Sequence, residues 1–373
     1  MGNESCMRSA IDEATVALGQ VAPLPAVGAV VVRDQQIVGR GHTDRELCSH
    51  AEPLALSRAG KAAKGAELFV TLEPCAHQGS TPPCTKAIID AGISAVHIAM
   101  LDPNPISLSG VQELQDAGID VHVGVENQTA RQFMQGYLKW LQTKRPLVSA
   151  KWAMSQDGRL VTPHGQPRYI SGSEALMEVH RMRAYSDAIL VGINTVLKDD
   201  PSLTCRLDGY SGEHPLRVIL DRSARTPIES RMLSAETPGS TLIVVSPDAS
   251  QDKVKRLTKT GVEVITLPFE PAEQINALLG ELGDRGVHNL LVEGGTKVLQ
   301  SFFTHSVVDR LDCFVSSKRF GTTVDTGSSF GDDIGVLRRV LKSADITVKS
   351  HGEDVQVSAV LHEYHENQDP NGR

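Results

Sequence analysis

The chain has 373 residues, of which 40% are hydrophobic and 22% are charged, and this is the composition of a globular protein. Its net charge of −8 at pH 7 argues against a large nucleic-acid interface, because such an interface needs a basic surface. No apolar run approaches the roughly 18 residues that a membrane-spanning helix requires, so the sequence predicts no membrane segment.

The first part of the chain alternates between helical and strand patterns. Apolar residues recur at helical spacing over residues 4–19, and two β-rich runs follow at 27–32 and 37–41. Further helices are expected at 50–59, 85–91, 111–117 and 129–141, and further strands at 68–72, 95–99 and 121–123. A hairpin followed by alternating helices and strands is typical of a three-layer α/β domain.

A polar break at Lys144-Arg145-Pro146 separates this part from the next, because proline does not continue a helix. We therefore predict one domain over residues 1–144 and a second over residues 145–365. In the second we expect strands at 147–154, 188–191, 217–220, 242–245, 262–266 and 289–293, helices at 173–185, 251–259 and 272–284, and an antiparallel edge from strands at 346–349 and 355–362. The polar residues 366–373 are predicted to form a disordered tail.

The six cysteines bear on the compartment. No basic stretch followed by an apolar core opens the chain, so we expect no secretion signal. In a long chain without such a signal, cysteines indicate reduced thiols with metal-binding or catalytic roles rather than a disulfide framework. The sequence therefore predicts a cytoplasmic protein.

The clearest chemical motif is His50-Ala51-Glu52, followed by Glu73-Pro74-Cys75 and Pro82-Pro83-Cys84. One imidazole and two thiolates provide three ligands for tetrahedral Zn²⁺ and leave a fourth position for water, whose pKa zinc lowers to about 7. A glutamate two residues from the histidine is the general acid and base of zinc deaminases. We expect Cys75 at a helix start, where the helix dipole favours the thiolate.

The same residues allow two other interpretations, a closed structural zinc site and no metal at all. A His-x-Glu segment is common by chance, and the two cysteines lack the tight Cys-x-x-Cys spacing. A fourth close ligand would indicate a structural site, and Cys48 is the obvious candidate for it. Only Ser49 separates Cys48 from His50, which is a cramped spacing for two ligands.

The second half lacks the Gly-x-Gly-x-x-Gly motif, so a Rossmann-type dinucleotide site is not supported. Instead, an apolar strand that ends in Glu293 runs into Gly294-Gly295-Thr296 and then a helix. Glycines let the backbone approach an anion, and a helix start offers unpaired N–H groups to a phosphate. Taken alone, such a turn is at least as often structural.

These motifs together resemble the RibD family, the bifunctional deaminases and reductases of riboflavin biosynthesis. The deaminase match comprises His-Ala-Glu at 50–52, Thr-Leu-Glu-Pro-Cys-Ala-His at 71–77, Thr-Pro-Pro-Cys at 81–84 and Asp-Pro-Asn-Pro at 102–105. The reductase match comprises residues 151–158, 195–204, 217–221 and 293–295, in the order that the family shows. The resemblance covers roughly residues 5–365.

The resemblance implies a cytidine-deaminase-like three-layer domain followed by a dihydrofolate-reductase-like α/β domain. It implies that His50, Cys75 and Cys84 bind Zn²⁺ and that Glu52 is the catalytic proton carrier. The implied NADPH contacts are Ala153, Tyr169, Thr195, Asp199, Arg222, Gly295, Thr296, Lys297, Val298, Leu299, Gln300 and Ser301. The implied substrate contacts are Pro167, Arg183, Leu203, Arg206 and Glu293.

The implied substrate is a small pyrimidine that carries a ribose phosphate, and paired guanidinium donors such as those of Arg183 and Arg206 suit a phosphate. Lys151 and Asp157 could be polar groups at the floor of the substrate pocket or could simply bridge neighbouring strands, and the sequence favours neither role. The expected reactions are hydrolytic deamination and then NADPH-dependent reduction of the ribosyl group. We also expect a homo-oligomer, as is common among related enzymes.

Several positions depart from the family pattern, among them Leu24, Thr43, Ser80 and Pro167. They leave two alternatives open: a related enzyme that acts on a different pyrimidine, and a reductase with a degenerate deaminase domain. A nucleic-acid deaminase is a third alternative, which the negative net charge disfavours.

Overall fold

The computed structural model describes residues 2–47, 49–79, 81–107, 109–158, 170–268, 270–320 and 345–364. The chain divides between Lys144 and Arg145 into two compact units, and Tyr364 belongs to the first of them. In the described part of the chain, no helix is both long and apolar enough to cross a membrane. Residues 366–373, for which we predicted disorder, lie outside the described residues, as do Pro167 and Tyr169.

The first unit contains a helix, a β-hairpin and then alternating helices and strands. Its helices are α1 (Asn3–Ala17), α2 (Ala51–Ala59), α3 (Cys84–Ala91), α4 (Gly110–Asp116), α5 (Asn127–Phe133) and α6 (Gln135–Thr143). Its strands are β1 (Gly28–Arg33), β2 (Gln36–His42), β3 (Glu67–Leu72), β4 (Ala95–Met100) and β5 (Asp120–Val123). The predicted alternation is confirmed.

The single helix predicted over residues 129–141 is wrong, because the structure has two helices that meet at Met134. The side chain of Gln135 explains the break. Its Nε2 donates to the carbonyl of Arg131 at 3.2 Å and to that of Tyr364 at 2.8 Å. In a continuous helix the Arg131 carbonyl would accept from the backbone N–H of Gln135, so the side chain replaces that bond.

The five strands form one sheet in the order β2-β1-β3-β4-β5, with β1 antiparallel to both its neighbours and the rest parallel. A Cβ on Gly28 would clash with Ala10 of α1, and a Cβ on Gly41 would clash with Ala51 of α2. Gly41 pairs with Ala29, the residue after Gly28, so the two glycines point to opposite faces. The two helices therefore cover opposite faces, which gives three layers.

The second unit is a larger α/β structure. Its helices are α7 (Ser173–Ala184), α8 (Ile193–Asp199), α9 (Gln251–Thr258), α10 (Pro271–Asp284) and α11 (Thr296–Thr304). Its strands are β6 (Leu147–Ser155), β7 (Ala188–Gly192), β8 (Leu216–Leu220), β9 (Thr241–Val245), β10 (Glu263–Thr266), β11 (Asn289–Val292), β12 (Arg310–Ser316), β13 (Asp345–His351) and β14 (Asp354–Val360).

These nine strands form one sheet in the order β10-β9-β8-β7-β11-β6-β12-β14-β13. The strands from β10 to β12 are parallel, and β14 and β13 add the predicted antiparallel edge. Along β7, Leu190 belongs to one core cluster, whereas Ile189 and Val191 belong to another. Both faces of the sheet are therefore buried, as parallel sheets require.

Strand β12 was not predicted, and its sequence shows why. Asp312 lies in the middle of the strand, and aspartate is depleted from strands. The tertiary structure compensates, because the Asp312 carboxylate accepts hydrogen bonds from Gln356 Nε2 at 2.8 Å and Ser358 Oγ at 2.5 Å, both on β14. A contact with a strand more than 40 residues away leaves no local sequence signal.

Candidate functional site

The first unit brings together the three predicted metal-binding side chains. His50 Nδ1 lies 3.2 Å from Cys84 Sγ and 3.6 Å from Cys75 Sγ, and the three donor atoms all lie within 4.8 Å of one another. Both cysteines are free thiols. Among the described residues, no further His, Cys, Asp or Glu joins the group, and Cys48 lies outside them. One imidazole and two sulfurs fit a zinc site with an open position.

Each donor lies at the end of a helix or in the segment that follows a strand. His50 directly precedes α2, Cys75 follows β3, and Cys84 is the first residue of α3. The expectation that Cys75 lies at a helix start is therefore wrong, and Cys84 occupies that position. Thr85 links the two sulfur-bearing segments, because its backbone N–H and its hydroxyl both donate to the carbonyl of Cys75, at 3.3 and 3.4 Å.

The two thiols ionise differently. A hydrogen bond from the Cys84 thiol lowers the pKa of Cys75, and the His50 ring adds to this effect. The same contact raises the pKa of Cys84, and burial raises it further. Two neighbouring thiols cannot both ionise easily unless a cation lies between them, so the group favours a bound metal ion.

Glu52 is the second residue of α2, and its residue surface is 4% exposed. Burial raises the pKa of its carboxyl to about 7, although the charge of His50 opposes the shift. Glu52 lines a cavity of about 220 Å³ together with His50 and Cys75. The other lining residues are Leu24, Pro25, Val27, Thr43, Leu72, Glu73, His77, Gly79, Thr81, Asp102, Asn104, Ser107 and Tyr137.

Hydrogen bonds fix the wall of this cavity. The Asp102 carboxylate accepts from the hydroxyl of Tyr137 at 3.2 Å and from the backbone N–H of Asn104 at 3.0 Å. The Glu73 carboxylate accepts from the backbone N–H groups of Asp102 and Val111, at 3.3 and 3.1 Å. Sequence reasoning missed Tyr137, because a tyrosine inside a helix more than 30 residues beyond the last motif carries no local signal.

Two of the positions that depart from the family pattern lie in the same wall. The Thr43 hydroxyl donates to the carbonyl of Pro25 at 2.9 Å and accepts from the backbone N–H of Val27 at 3.0 Å. These two hydrogen bonds of Thr43 hold the segment next to Leu24 in place. The residue surface of Leu24 is 41% exposed. Leu24 places an apolar side chain at the cavity, where it offers no hydrogen bond.

In the second unit, Glu293 directly follows β11 and meets two cations. Arg183 on α7 donates to both carboxylate oxygens of Glu293, from Nε at 2.6 Å and from Nη2 at 3.0 Å. The Nζ of Lys151 on β6 lies 3.8 Å from Glu293 Oε2. The three side chains are 8–14% exposed. Burial alone raises the pKa of Glu293, but the charges of Arg183 and Lys151 outweigh it and lower that pKa to about 2.

The other predicted substrate contacts lie in the segment that follows α8. Arg206 is exposed, and its Nη1 donates to the hydroxyls of Ser202 at 3.0 Å and Thr204 at 3.4 Å. Leu203 has a left-handed backbone with φ of 51° and a surface that is 4% exposed. Its side chain packs in the core, so only its backbone is available to a ligand.

The double glycine of the second unit lies where two helices begin. Gly295 caps the start of α11, and the position of its missing Cβ is 3.8 Å from the hydroxyl of Thr195 in the first turn of α8. A Cβ on Gly294 would lie 2.6 Å from the Cβ of Val298, so a side chain there would displace α11. The adjacent starts of two helices offer N–H groups to a phosphate.

The remaining predicted cofactor contacts differ in exposure. Leu299 is 1% exposed and packs in the core. Arg222 follows β8 and forms an exposed ion pair with Asp248 at 3.0 Å. Ala153 lies on β6, Asp199 ends α8, and the other predicted contacts begin α11 at Thr296, Lys297, Val298, Gln300 and Ser301. Arg222 and Thr296 follow the carboxyl ends of β8 and β11, the edge of the sheet where α/β proteins bind ligands, and Ala153 lies near the carboxyl end of β6.

Two family models match the chain. Residues 2–100 match the cytidine and deoxycytidylate deaminase zinc-binding region, and residues 146–357 match the RibD C-terminal domain. The first match contains the His50, Cys75 and Cys84 group. The second contains Glu293 and the start of α11.

Full-length relatives match both units together. The riboflavin biosynthesis protein RibD of Aquifex aeolicus is 37% identical over 358 residues, which cover 95% of this chain and 97% of that protein. The crystal structure of a diaminohydroxyphosphoribosylaminopyrimidine deaminase/5-amino-6-(5-phosphoribosylamino)uracil reductase from Thermotoga maritima is 34% identical, with a TM-score of 0.81 and coverage of 96% of this chain and 99% of that one. RibD of Acinetobacter baumannii is 31% identical, with a TM-score of 0.78 and coverage of 97% and 99%.

Proposed function

Since the chain belongs to the RibD family of bifunctional riboflavin-biosynthesis enzymes, we propose how its residues divide between two reactions on a small-molecule pyrimidine. The first is the hydrolytic removal of the 2-amino group from 2,5-diamino-6-(5-phosphoribosylamino)pyrimidin-4-one. The second is the NADPH-dependent reduction of the ribosyl group of the deaminated product to a ribityl group.

For the first reaction, His50, Cys75 and Cys84 would hold Zn²⁺. The support is the meeting of their three donor atoms within 4.8 Å, with no fourth ligand of these types among the described residues. When bound, zinc supplies Lewis-acid activation of water at neutral pH. This group beside the buried Glu52 is the observation on which the deaminase assignment depends.

Glu52 would carry the protons of the deamination. It lines the same cavity as His50 and Cys75 but does not belong to the metal-binding group. Its carboxylate takes a proton from the attacking water and delivers it to the leaving nitrogen, which departs as ammonia. No covalent bond between the enzyme and the substrate is needed.

For the second reaction, Glu293, Arg183 and Arg206 would contact the substrate, and the starts of α8 and α11 would contact the cofactor. NADPH supplies the hydride when bound. Glu293 is ionised beside Arg183 and Lys151, so it offers oriented carboxylate oxygens to ribose hydroxyls or ring N–H groups. Thr195 and Gly295 meet where helix N–H groups suit a cofactor phosphate.

The test combines zinc analysis with a two-step product assay on wild-type enzyme and on Glu52→Gln. We expect one zinc ion per chain in both proteins. Loss of a general acid and base costs about 10²–10⁴-fold, so deamination by Glu52→Gln should fall by at least about 100-fold. Reduction of 5-amino-6-(5-phosphoribosylamino)uracil should be unchanged.

Zinc analysis separates a chemical role of Glu52 from a structural one. Loss of zinc from Glu52→Gln would contradict the proton-carrier assignment, because the side chain would then support the metal site. If the zinc-loaded wild-type enzyme turned over neither pyrimidine, the proposed substrates would be wrong.

A further inference from the structure

His180 is a half-buried polar residue next to the proposed substrate site, and nothing above gives it a role. It lies on α7, one turn before Arg183. Its Nδ1 accepts a hydrogen bond from the backbone N–H of Arg206 at 3.3 Å. Because Nδ1 is the acceptor, the proton of the neutral ring resides on Nε2.

Arg183 and Arg206 have different partners. Arg183 uses Nε and Nη2 on Glu293, and its Nη1 donates to the carbonyl of Thr204 at 3.3 Å. Arg206 is exposed, and in the part of the chain that the structure describes it forms no ion pair. Among the described residues, the Arg206 guanidinium donates only to the hydroxyls of Ser202 and Thr204, so its charge is available to an anion.

The hydrogen bond from the backbone N–H of Arg206 to His180 therefore fixes the position of the Arg206 backbone, from which the guanidinium extends. It connects α7, which carries Arg183, to the segment that carries Arg206. The ring must stay neutral to accept this bond. Burial lowers the pKa of His180 to about 4, and the charges of Arg183 and Arg206 lower it in the same direction. Near pH 7 the ring is thus neutral, and Nδ1 remains an acceptor.

We propose that His180 is a positioning residue for the reductase, holding the backbone of Arg206 so that its guanidinium meets the phosphate of the substrate. This inference rests on the proposed function, in which Arg206 contacts the phosphoribosyl pyrimidine. His180 itself does not contact the reacting atoms. Its effect should appear in the affinity for the phosphorylated substrate rather than in hydride transfer.

The main experiment measures steady-state reduction by full-length His180→Ala, His180→Asn and His180→Gln. Loss of one hydrogen bond should raise the KM for 5-amino-6-(5-phosphoribosylamino)uracil about fivefold in His180→Ala. The kcat and the KM for NADPH should not change. The amide oxygen of asparagine can occupy the place of Nδ1, whereas that of glutamine reaches towards Nε2, so only His180→Asn should restore the wild-type KM.

A substrate analogue without the 5′-phosphate tests whether the hydrogen bond between His180 and Arg206 serves phosphate binding. With it, His180→Ala and wild type should have the same kcat/KM, because Arg206 then has no anion to bind. An equal defect with both substrates would overturn the inference. So would a KM of His180→Gln that equals that of His180→Asn, and this comparison holds even if His180→Ala fails to fold.

Arg206→Ala separates the inference from the proposed function. We expect its KM for the phosphorylated substrate to rise at least about tenfold. If Arg206→Ala raises this KM and His180→Ala does not, His180 is not a positioning residue. If Arg206→Ala has no effect, the assignment of Arg206 as a substrate contact fails. Arg181→Ala, an exposed position on α7 that pairs with Glu178, is the matched control and should behave as wild type.

Discussion

The candidate metal-binding group of the first unit comprises three side chains: His50 just before α2, Cys75 in the segment that follows β3, and Cys84 at the start of α3. The residue types favour zinc, because imidazole and thiolate are ligands that zinc prefers. Three protein ligands leave the fourth position of a tetrahedral site for water. Their proximity depends on contacts such as those from Thr85 to the carbonyl of Cys75. Removal of one donor should therefore affect the metal site before it affects the fold.

Cys84→Ser exchanges a thiolate for a hydroxyl, which is a poor zinc ligand. We expect the purified variant to hold less than about one tenth of the wild-type zinc and to lose deamination. Reduction should be retained, since it belongs to the other unit. Metal analysis of the purified protein is the measurement. Cys6→Ala, a buried cysteine of α1 outside the group, is the control, and full zinc content in Cys84→Ser would contradict the assignment.

Glu293 in the second unit shows how one residue couples stability to pH. Glu293→Gln leaves Arg183 and Lys151 buried without a counter-charge, so we expect the free energy of unfolding at pH 7 to fall by about 3 kcal/mol. The folded-state pKa of about 2 lies below the ordinary value of 4.5. The carboxylate therefore stabilises the fold fully above about pH 4.5, and this contribution disappears as the pH falls towards 2.

Thermal or denaturant unfolding of wild type and Glu293→Gln at several pH values tests this coupling. The difference in stability should be largest near pH 7 and should shrink between pH 4.5 and 2. A difference that stays constant over this range would show that Glu293 acts through packing rather than through its charge. Deamination by the variant should be unchanged.

Among the elements, α2 positions two residues of the candidate functional site, because it carries Glu52 and starts just after His50. Its place depends on glycine in β2, where a Cβ on Gly41 would lie 2.5 Å from the backbone nitrogen of Ala55 and would clash with the carbonyl of Ala51. The helix thus packs directly on the strand backbone. The distance between helix and sheet sets the position of both functional side chains.

Gly41→Ala should displace α2 and so separate His50 from the two cysteines. We expect weaker zinc binding and at least about a tenfold loss of deamination, with normal reduction. Titration with a zinc chelator, followed by the deamination assay, measures both effects.

Gly280→Ala is the contrasting control. A Cβ on this residue of α10 meets nothing within 4 Å, so alanine should stabilise the helix by up to about 1 kcal/mol and leave both reactions intact. Zinc affinity in Gly41→Ala equal to that of wild type would show that α2 tolerates the shift.

At the scale of the whole molecule, each unit has its own hydrophobic core and its own sheet. The candidate metal-binding group lies entirely in the first unit, and Glu293 with the starts of α8 and α11 lies in the second. Apart from the controls, the variants above should therefore affect one reaction each. Homo-oligomer formation stays a prediction, and light scattering on the full-length protein would check it.

The sequence by itself determined the alternation of helices and strands, the candidate metal-binding residues and the family. These features depend on hydrophobic periodicity and on contiguous motifs, such as His-Ala-Glu and Thr-Pro-Pro-Cys, which are local properties of the chain.

Only the tertiary structure decided that Cys84 rather than Cys75 begins a helix, that Asp312 lies in a strand, and that Arg183 is held by Glu293 while Arg206 is not. It also brought Tyr137 to the cavity that Glu52 lines. Each of these outcomes depends on partners that lie far apart along the chain. Hydrophobic periodicity and motif spacing report only on neighbours, so they carry no information about such contacts.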